Sequence, residues 1–165
     1  MWQFSDSVWF GTVIDMLTLG THTIYKNDLG TLAEEIIAFG KTKAGEGAFV
    51  IALHGDLGAG KTTLVQTIGA TLGVAEMITS PTFTIMKQYD TTDASFETLV
   101  HMDAYRIDSL DELRPLRFAE LLTISKTLIC IEWAEKIKEM LPESMLQITL
   151  EVASEDSRTI HISYC

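Results

Sequence analysis

A continuous apolar run that passes directly into a glycine-rich turn constrains the fold of this chain more than any other feature. Residues 48–53, AFVIAL, have the composition of a strand buried on both faces. The turn that follows, HGDLGAGKTTL at residues 54–64, satisfies the pattern G-x-x-x-x-G-K-[ST]. Beyond it, apolar residues recur at helical spacing until Gly73, which stands where a C-terminal cap belongs. The order strand, glycine-rich turn, helix predicts an α/β fold with a phosphate-binding loop.

Each residue type in this turn has a chemical reason. The glycines let consecutive backbone N–H groups point at phosphate oxygens, and the following helix adds its positive end. Lys61 can reach the β- and γ-phosphates, and the Thr62 hydroxyl is a hard oxygen suited to Mg²⁺. A turn that only caps a helix is the alternative. We expect Lys61 to be solvated in the empty site, so that its loss costs little stability. The expected nucleotide-binding residues of the loop are Asp56, Leu57, Gly58, Ala59, Gly60, Lys61, Thr62 and Thr63.

Two acidic residues stand where other apolar runs end. Asp103 follows LVHM and Glu132 follows LICI. Because the carboxyl ends of strands in an open α/β sheet face the ligand crevice, both carboxylates are candidates to hold Mg²⁺ together with Thr62. A solvated strand end is the alternative for each. The sequence does not decide which acid is nearer the metal.

The remaining periodicity predicts a mixed central sheet flanked by helices and closed by a C-terminal β-hairpin, which is a P-loop NTPase-like α/β fold. Ser109 and Glu112 form a capping box for a helical piece that Pro115 interrupts. Alternating apolar residues on both sides of the SEDS turn predict the terminal hairpin. The other predicted elements are strands at 23–27, 78–90, 97–107 and 127–133, a helix from Leu29 that Gly40 stops, and a helix that Pro142 ends.

Length and charge restrict the organisation and the partners. With 165 residues we expect one domain at 23–165, preceded by an extension of unknown role at 1–22. The apolar run at 8–20 contains Asp15 and is too short to span a membrane, and we expect residues 1–16 to be dispensable. The net charge of -11 argues against tight binding of nucleic acid, and two cysteines without metal spacing suit a reducing cytoplasm.

Four motifs in order, GDLGAGKTT, SPTFTIMKQY, MDAYR and IEWAE, resemble the bacterial TsaE family (formerly YjeE) over roughly residues 23–152. The resemblance implies a P-loop ATPase that works with the TsaB and TsaD proteins in making threonylcarbamoyladenosine next to the anticodon of tRNAs. The implied ligands are ATP and Mg²⁺. Because the chain is acidic, we expect it to reach tRNA only through these protein partners.

The resemblance also implies roles for single residues. Asp103 and Glu132 would be the catalytic acids at the metal and the attacking water. Thr82 would lie in a switch-like loop near the γ-phosphate, and Trp133 would lie beside the nucleotide. On the residues alone, Trp133 is equally a core residue, and Thr82 is equally part of a simple turn.

Two other function classes stay open on the sequence. A P-loop kinase usually clamps two phosphate-bearing ligands with several arginines, whereas this chain has four arginines in all and no visible arginine-rich lid. A nucleotide-gated binding module would use ATP only to order an interface. A GTPase is disfavoured because N-K-x-D and D-x-x-G are absent from the sequence. Only Arg106 is near the expected site, so we expect slow hydrolysis without partners.

Overall fold

The computed structural model describes residues 17–43 and 45–165 and contains a seven-stranded mixed sheet with helices on both faces. The strands are β1 Gly20–Tyr25, β2 Phe49–His54, β3 Met86–Asp90, β4 Thr98–Asp103, β5 Thr127–Glu132, β6 Leu146–Val152 and β7 Ser157–Tyr164. The helices are α1 Leu29–Lys43, α2 Lys61–Thr71 and α3 Phe118–Leu121, with 3-10 helices at Lys26–Asp28, Leu110–Leu113 and Ala134–Met140.

Strand order brings the expected site together at one edge of the sheet. The order is β1-β7-β6-β2-β5-β4-β3, and the central strands β6, β2, β5 and β4 run parallel. Their carboxyl ends therefore point the same way. Asp103 and Glu132 are the last residues of adjacent strands and are direct register partners. Strand β2, which leads into the glycine-rich turn, is the other neighbour of β5.

The continuous apolar character of β2 follows from burial on both faces. Ile51 and Leu53 belong to a core that includes the buried faces of α1 and α2. Val50 and Ala52 belong to a second core that includes α3 and Ile137. A strand covered on both faces has no solvent-facing positions, so the run needs no alternation. The prediction of a buried strand at this position is confirmed.

Two predicted boundaries are wrong for identifiable reasons. Helix α1 does not stop at Gly40 but continues to Lys43, and Gly40 is buried inside it. A Cβ at Gly40 would lie 2.8 Å from the Phe49 ring, so the glycine allows the helix to pack closely on β2. Residues 78–85 form a loop rather than the start of β3, which begins at Met86.

Other predicted elements are present, although the strand predicted at 97–107 ends at Asp103 and the helix predicted before Pro142 is a 3-10 helix. Ser109 and Glu112 form the capping box, although the element that follows is a 3-10 helix. Strands β6 and β7 form the C-terminal hairpin. Strand β1 pairs with β7 from Gly20 onward, so the sheet includes residues 20–22 of the predicted extension. Residues 1–16, which we expect to be dispensable, lie outside the described residues.

Candidate nucleotide-binding site

The turn between β2 and α2 contains three glycines with positive φ angles. Gly55, Gly58 and Gly60 have φ angles of 128°, 81° and 108°, which residues other than glycine rarely adopt. A Cβ at Gly55 would lie 2.2 Å from the carbonyl oxygen of Leu150, so the loop passes close to β6. A Cβ at Gly58 or Gly60 would meet no atom within 4 Å, which leaves room around the loop. The loop ends at Lys61, where the positive end of α2 begins.

Lys61 lies folded against the loop instead of extending into water. Its Nζ donates hydrogen bonds to the carbonyl oxygens of Gly55, at 2.6 Å, and Asp56, at 2.9 Å. The same atom lies 4.4 Å from the centre of the Trp133 ring. Only 4 % of the residue is exposed. The expectation of a solvated lysine is therefore wrong, because the loop's own carbonyls and the indole ring surround the ammonium group.

The Thr62 hydroxyl and the Glu132 carboxylate are joined directly. Thr62 Oγ1 donates to Glu132 Oε1 at 2.7 Å, which links the first turn of α2 to the end of β5. The Nε2 of His101 lies 2.8 Å from the same carboxylate oxygen. Our sequence reasoning missed His101. Its position two residues before Asp103 in strand β4 was the available signal, because residues i and i+2 share one face of a strand.

Asp103 is held by the loop of residues 78–85 and by the turn after β4. Thr82 Oγ1 donates to Asp103 Oδ2 at 2.6 Å, and the backbone N–H of Tyr105 donates to Oδ1 at 3.0 Å. The backbone N–H of Asp103 donates to the carbonyl oxygen of Ile85 at 2.8 Å. Ser80 Oγ lies 2.6 Å from Thr82 Oγ1. The predicted switch-like loop is thus in contact with a predicted catalytic acid.

One cleft contains most of the predicted site residues. Two of the predicted loop residues, Asp56 and Ala59, do not line this cleft. The carbonyl oxygen of Asp56 accepts a hydrogen bond from Lys61, and Ala59 lies on the opposite side of the loop. The Trp133 ring packs against Tyr105, with ring centres 5.2 Å apart, and forms one wall. We call this space the phosphate cleft; it is lined by Leu57, Gly58, Gly60, Lys61, Thr62, Thr63, Ser80, Thr82, Asp103, Tyr105, Glu132 and Trp133.

A second cleft lies on the other side of the same loop and shares Gly60 and Thr63 with the first. We call it the side cleft; it is lined by Ile24, Tyr25, Lys26, Leu29, Ala59, Gly60, Thr63, Leu150, Glu155, Asp156 and Arg158. Arg158 Nε donates to the carbonyl oxygen of Ala59 at 2.9 Å, while its Nη1 donates to the carbonyl oxygens of Ser154 and Ser157. The arginine therefore ties the loop to the β6–β7 turn, a contact across the chain that the sequence did not reveal.

The oxygen donors of the phosphate cleft fit Mg²⁺. Thr62, Asp103 and Glu132 supply one hydroxyl and two carboxylates, which are the hard ligands that this ion prefers. Among residues 17–43 and 45–165, no group of three or more His, Cys, Asp or Glu side chains is arranged to hold a metal ion. A Mg²⁺ ion here would therefore take its other ligands from the Thr62 hydroxyl, phosphate oxygens and water.

The two cysteines have different surroundings. Cys130, in the middle of β5, is completely buried. Burial raises the pKa of its thiol, and the nearby Glu132 carboxylate raises it further. Cys165 is exposed, and both thiols are free.

No helix within residues 17–43 and 45–165 is both long and apolar enough to cross a bilayer.

Comparison with known proteins gives a consistent result. The family model for "Threonylcarbamoyl adenosine biosynthesis protein TsaE" matches residues 26–160. The tRNA threonylcarbamoyladenosine biosynthesis protein TsaE of Bacillus subtilis is 37 % identical over 145 residues, covering 88 % of this chain and 85 % of that protein. The protein of the same name from Nostoc is 36 % identical over 154 residues, with 91 % of each chain covered. The crystal structure of Bacillus subtilis YdiB superposes with a TM-score of 0.64 at 29 % identity, covering 89 % of this chain and 87 % of that one.

The mixed sheet, the flanking helices and the glycine-rich loop after β2 make the fold P-loop NTPase-like, as predicted. The match of the family model extends from the 3-10 helix after β1 into β7, and it includes every residue that lines the phosphate cleft. The chain belongs to the TsaE family, whose members are named for the biosynthesis of threonylcarbamoyladenosine in tRNA.

Proposed function

We propose that this protein binds ATP with Mg²⁺, hydrolyses it, and acts with the TsaB and TsaD proteins in the threonylcarbamoyladenosine modification of tRNA next to the anticodon. The pathway follows from membership of the family. The observation that carries the ATPase activity is the meeting of Lys61, Thr62, Asp103 and Glu132 in one cleft beside the glycine-rich loop. These are the groups that phosphoryl transfer to water requires.

The nucleotide would lie across the loop, with its phosphates in the phosphate cleft and its base in the side cleft. Two features support this orientation. The clefts meet at Gly60 and Thr63, so one ligand can occupy both. Lys61 already lies over the loop, and its ammonium group can exchange two carbonyl oxygens for phosphate oxygens without leaving the cleft. The lysine keeps hydrogen-bond partners before and after the exchange, so the exchange costs little free energy.

The acids would act on the metal and on water. Bound Mg²⁺ would neutralise phosphate charge. Because the Thr62 hydroxyl donates its hydrogen to Glu132, its lone pairs remain available to a cation. Asp103 is fixed at both oxygens by Thr82 and the Tyr105 N–H, so its orientation is set before reaction. Thr82 would transmit the state of the 78–85 loop to this carboxylate.

Hydrolysis by the protein alone should be slow, because the cleft has little positive charge. Within the described ranges, Lys61 is the one cationic side chain that lines the phosphate cleft. The Arg106 guanidinium lies 4.4 Å above the ring of the exposed Phe83, and Arg158 is bonded to loop carbonyls. An added arginine can be worth a rate factor of about 10³ to 10⁵ in this chemistry. A protein partner is the proposed source of the missing charge or of the ordered 78–85 loop.

The acidic character of the chain supports an indirect route to tRNA. A net charge of -11 repels a nucleic-acid backbone, so we propose contact with tRNA only through the partner proteins and no tight direct binding. We also propose a cytoplasmic location without membrane attachment, since two free thiols suit a reducing compartment.

One experiment distinguishes the proposed ATPase from two other functions. A nucleotide-gated module is favoured by the Thr82–Asp103 contact, through which a bound phosphate could order the 78–85 loop. A kinase would need further cations in the cleft. We would titrate the protein with ATP and Mg²⁺ by calorimetry and then measure where the γ-phosphate of ATP goes. Phosphate released to water supports the proposal, a phosphorylated acceptor supports the kinase, and binding without turnover supports the gate.

A further inference from the structure

Among the described residues, hydrogen-bond donors contact one of the two carboxylate oxygens of Glu132. Its side chain is 5 % exposed, and Oε1 lies within hydrogen-bond distance of two donors, Thr62 Oγ1 and His101 Nε2. Within the described ranges no donor contacts Oε2. Glu132 also lines the phosphate cleft. The two bonds to Oε1 therefore decide which way the second oxygen faces.

His101 is the more independent of the two donors. Thr62 belongs to the loop and must also serve the ligand, whereas His101 lies on β4 beneath the site and lines neither cleft. Its ring is fully buried. Since a carboxylate only accepts hydrogen bonds, Nε2 is the protonated nitrogen. The Nδ1 atom is buried and has no hydrogen-bond partner among the described residues.

This unpaired nitrogen argues against a role in packing alone. Burying a polar atom without a partner is unfavourable, and an apolar side chain of similar volume would fill the space without that penalty. Among the described residues, the ring makes one hydrogen bond, through Nε2. The imidazole is therefore explained by what Nε2 does for Glu132.

We propose that His101 is a positioning residue for Glu132: its Nε2–H fixes Oε1 and leaves Oε2 to face the bound metal and water in the phosphate cleft. This inference rests on the proposed function, because it assigns the oriented carboxylate to Mg²⁺ and hydrolysis. Residues that hydrogen-bond to a metal ligand without contacting the metal commonly tune metal affinity and activity. The role requires a donor at the position of Nε2, not an imidazole as such.

The first test needs no nucleotide. We would record the imidazole nitrogen chemical shifts of the free protein and assign His101 by its absence from His101→Gln. The inference predicts a hydrogen on Nε2. The opposite tautomer would overturn it, since Nε2 could not then donate to the carboxylate.

The second test compares three substitutions that differ in reach. His101→Gln can place an amide N–H near the position of Nε2. The shorter side chain of His101→Asn carries the same amide group but does not reach that position, and His101→Leu has no donor. The measurements are the thermal midpoint, kcat and KM for ATP, and the factor by which Mg²⁺ raises ADP affinity. For the Leu and Asn variants we expect kcat to fall about tenfold or more, while that factor and KM change by only a few-fold. The Gln variant should recover most of the parental kcat.

The Gln–Asn pair decides the question even if the Leu variant does not fold. Equal losses in folded Gln and Asn variants, or parental values in both, would overturn the role of Nε2. A parent protein that binds Mg²⁺ and ADP without hydrolysing ATP would contradict the proposed activity, while the hydrogen on Nε2 would still test His101. A parent that binds no nucleotide would contradict the proposed function, and the tautomer would then decide whether Nε2 donates to Glu132.

Discussion

The Thr82 hydroxyl donates a 2.6 Å hydrogen bond to Oδ2 of Asp103 and so joins the loop of residues 78–85 to the end of β4. The same loop contains Ile85 with a φ angle of 63°, an unfavourable conformation for a β-branched residue. Its carbonyl oxygen nonetheless accepts from the Asp103 N–H. Two bonds to one acid thus hold a strained loop over the phosphate cleft, which suits a segment whose position controls turnover.

Replacing Thr82 with valine should slow hydrolysis without preventing nucleotide binding. The substitution keeps the shape of the side chain but removes its hydrogen bond to Asp103. We expect kcat to fall by about tenfold or more, with ATP affinity nearly unchanged. Thr84→Val is the matched control, because the Thr84 hydroxyl donates to the carbonyl oxygen of Pro81 and has no other partner in the described part of the chain. Steady-state kinetics of both variants test this, and equal rates would show that the Thr82 contact is incidental.

Asp103→Asn and Glu132→Gln should each damage hydrolysis more than binding. Both substitutions preserve volume and remove the negative charge that the metal and water require. We expect a large fall in kcat while ATP affinity stays within a few-fold of the parent. Asp108→Asn, at an exposed position nearby, is the control. If both variants turned over ATP at the parental rate, the two acids would not be catalytic.

Lys61→Met should abolish phosphate binding and cost modest stability. Methionine keeps a long apolar stem against Trp133 but removes the two hydrogen bonds to loop carbonyls. These carbonyls are only partly buried and can bond water instead, so we expect a loss of about 1 kcal/mol in the free energy of unfolding. Calorimetric titration with ATP and urea unfolding measure the two effects. Lys138→Met, at an exposed site outside both clefts, is the control, and unchanged ATP affinity in Lys61→Met would contradict the assignment.

Alkylation should distinguish the two cysteines. Burial, and secondarily Glu132, raises the pKa of the Cys130 thiol, so it remains protonated in neutral and weakly alkaline solution. In the folded protein iodoacetamide should modify Cys165 alone, because Cys165 is exposed and Cys130 is buried. Mass spectrometry of the folded and urea-unfolded protein checks this. Rapid modification of Cys130 in the folded state would mean that β5 is not buried.

Local chemistry explains which parts of the site the sequence could predict. The loop residues follow one another in the chain, and Asp103 and Glu132 end apolar runs, so strand direction alone brings them to one edge. The burial of β2 likewise follows from its composition. Alternation on both sides of a polar turn was enough to predict the hairpin of β6 and β7.

The missed features depend on contacts between distant segments. Residues 78–85 have the composition of a strand, but their bonds go to Asp103 and Ile85 takes a positive φ. Gly40 has the usual meaning of a helix stop until its contact with Phe49 is known. Arg158 reaches Ala59 across 99 positions. No local pattern distinguishes such residues from ordinary ones, because propensity is a weak guide where tertiary packing decides.

Steady-state ATP hydrolysis under three conditions tests the central claim most directly: the protein alone, the protein with bare tRNA, and the protein with the TsaB and TsaD proteins. The Asp103→Asn variant under the same conditions corrects for any ATPase activity of the partners. We predict slow turnover alone, no change with bare tRNA, and an increase of about an order of magnitude or more with the protein pair that the variant does not show. Stimulation by bare tRNA, or none by the two proteins, would contradict the account.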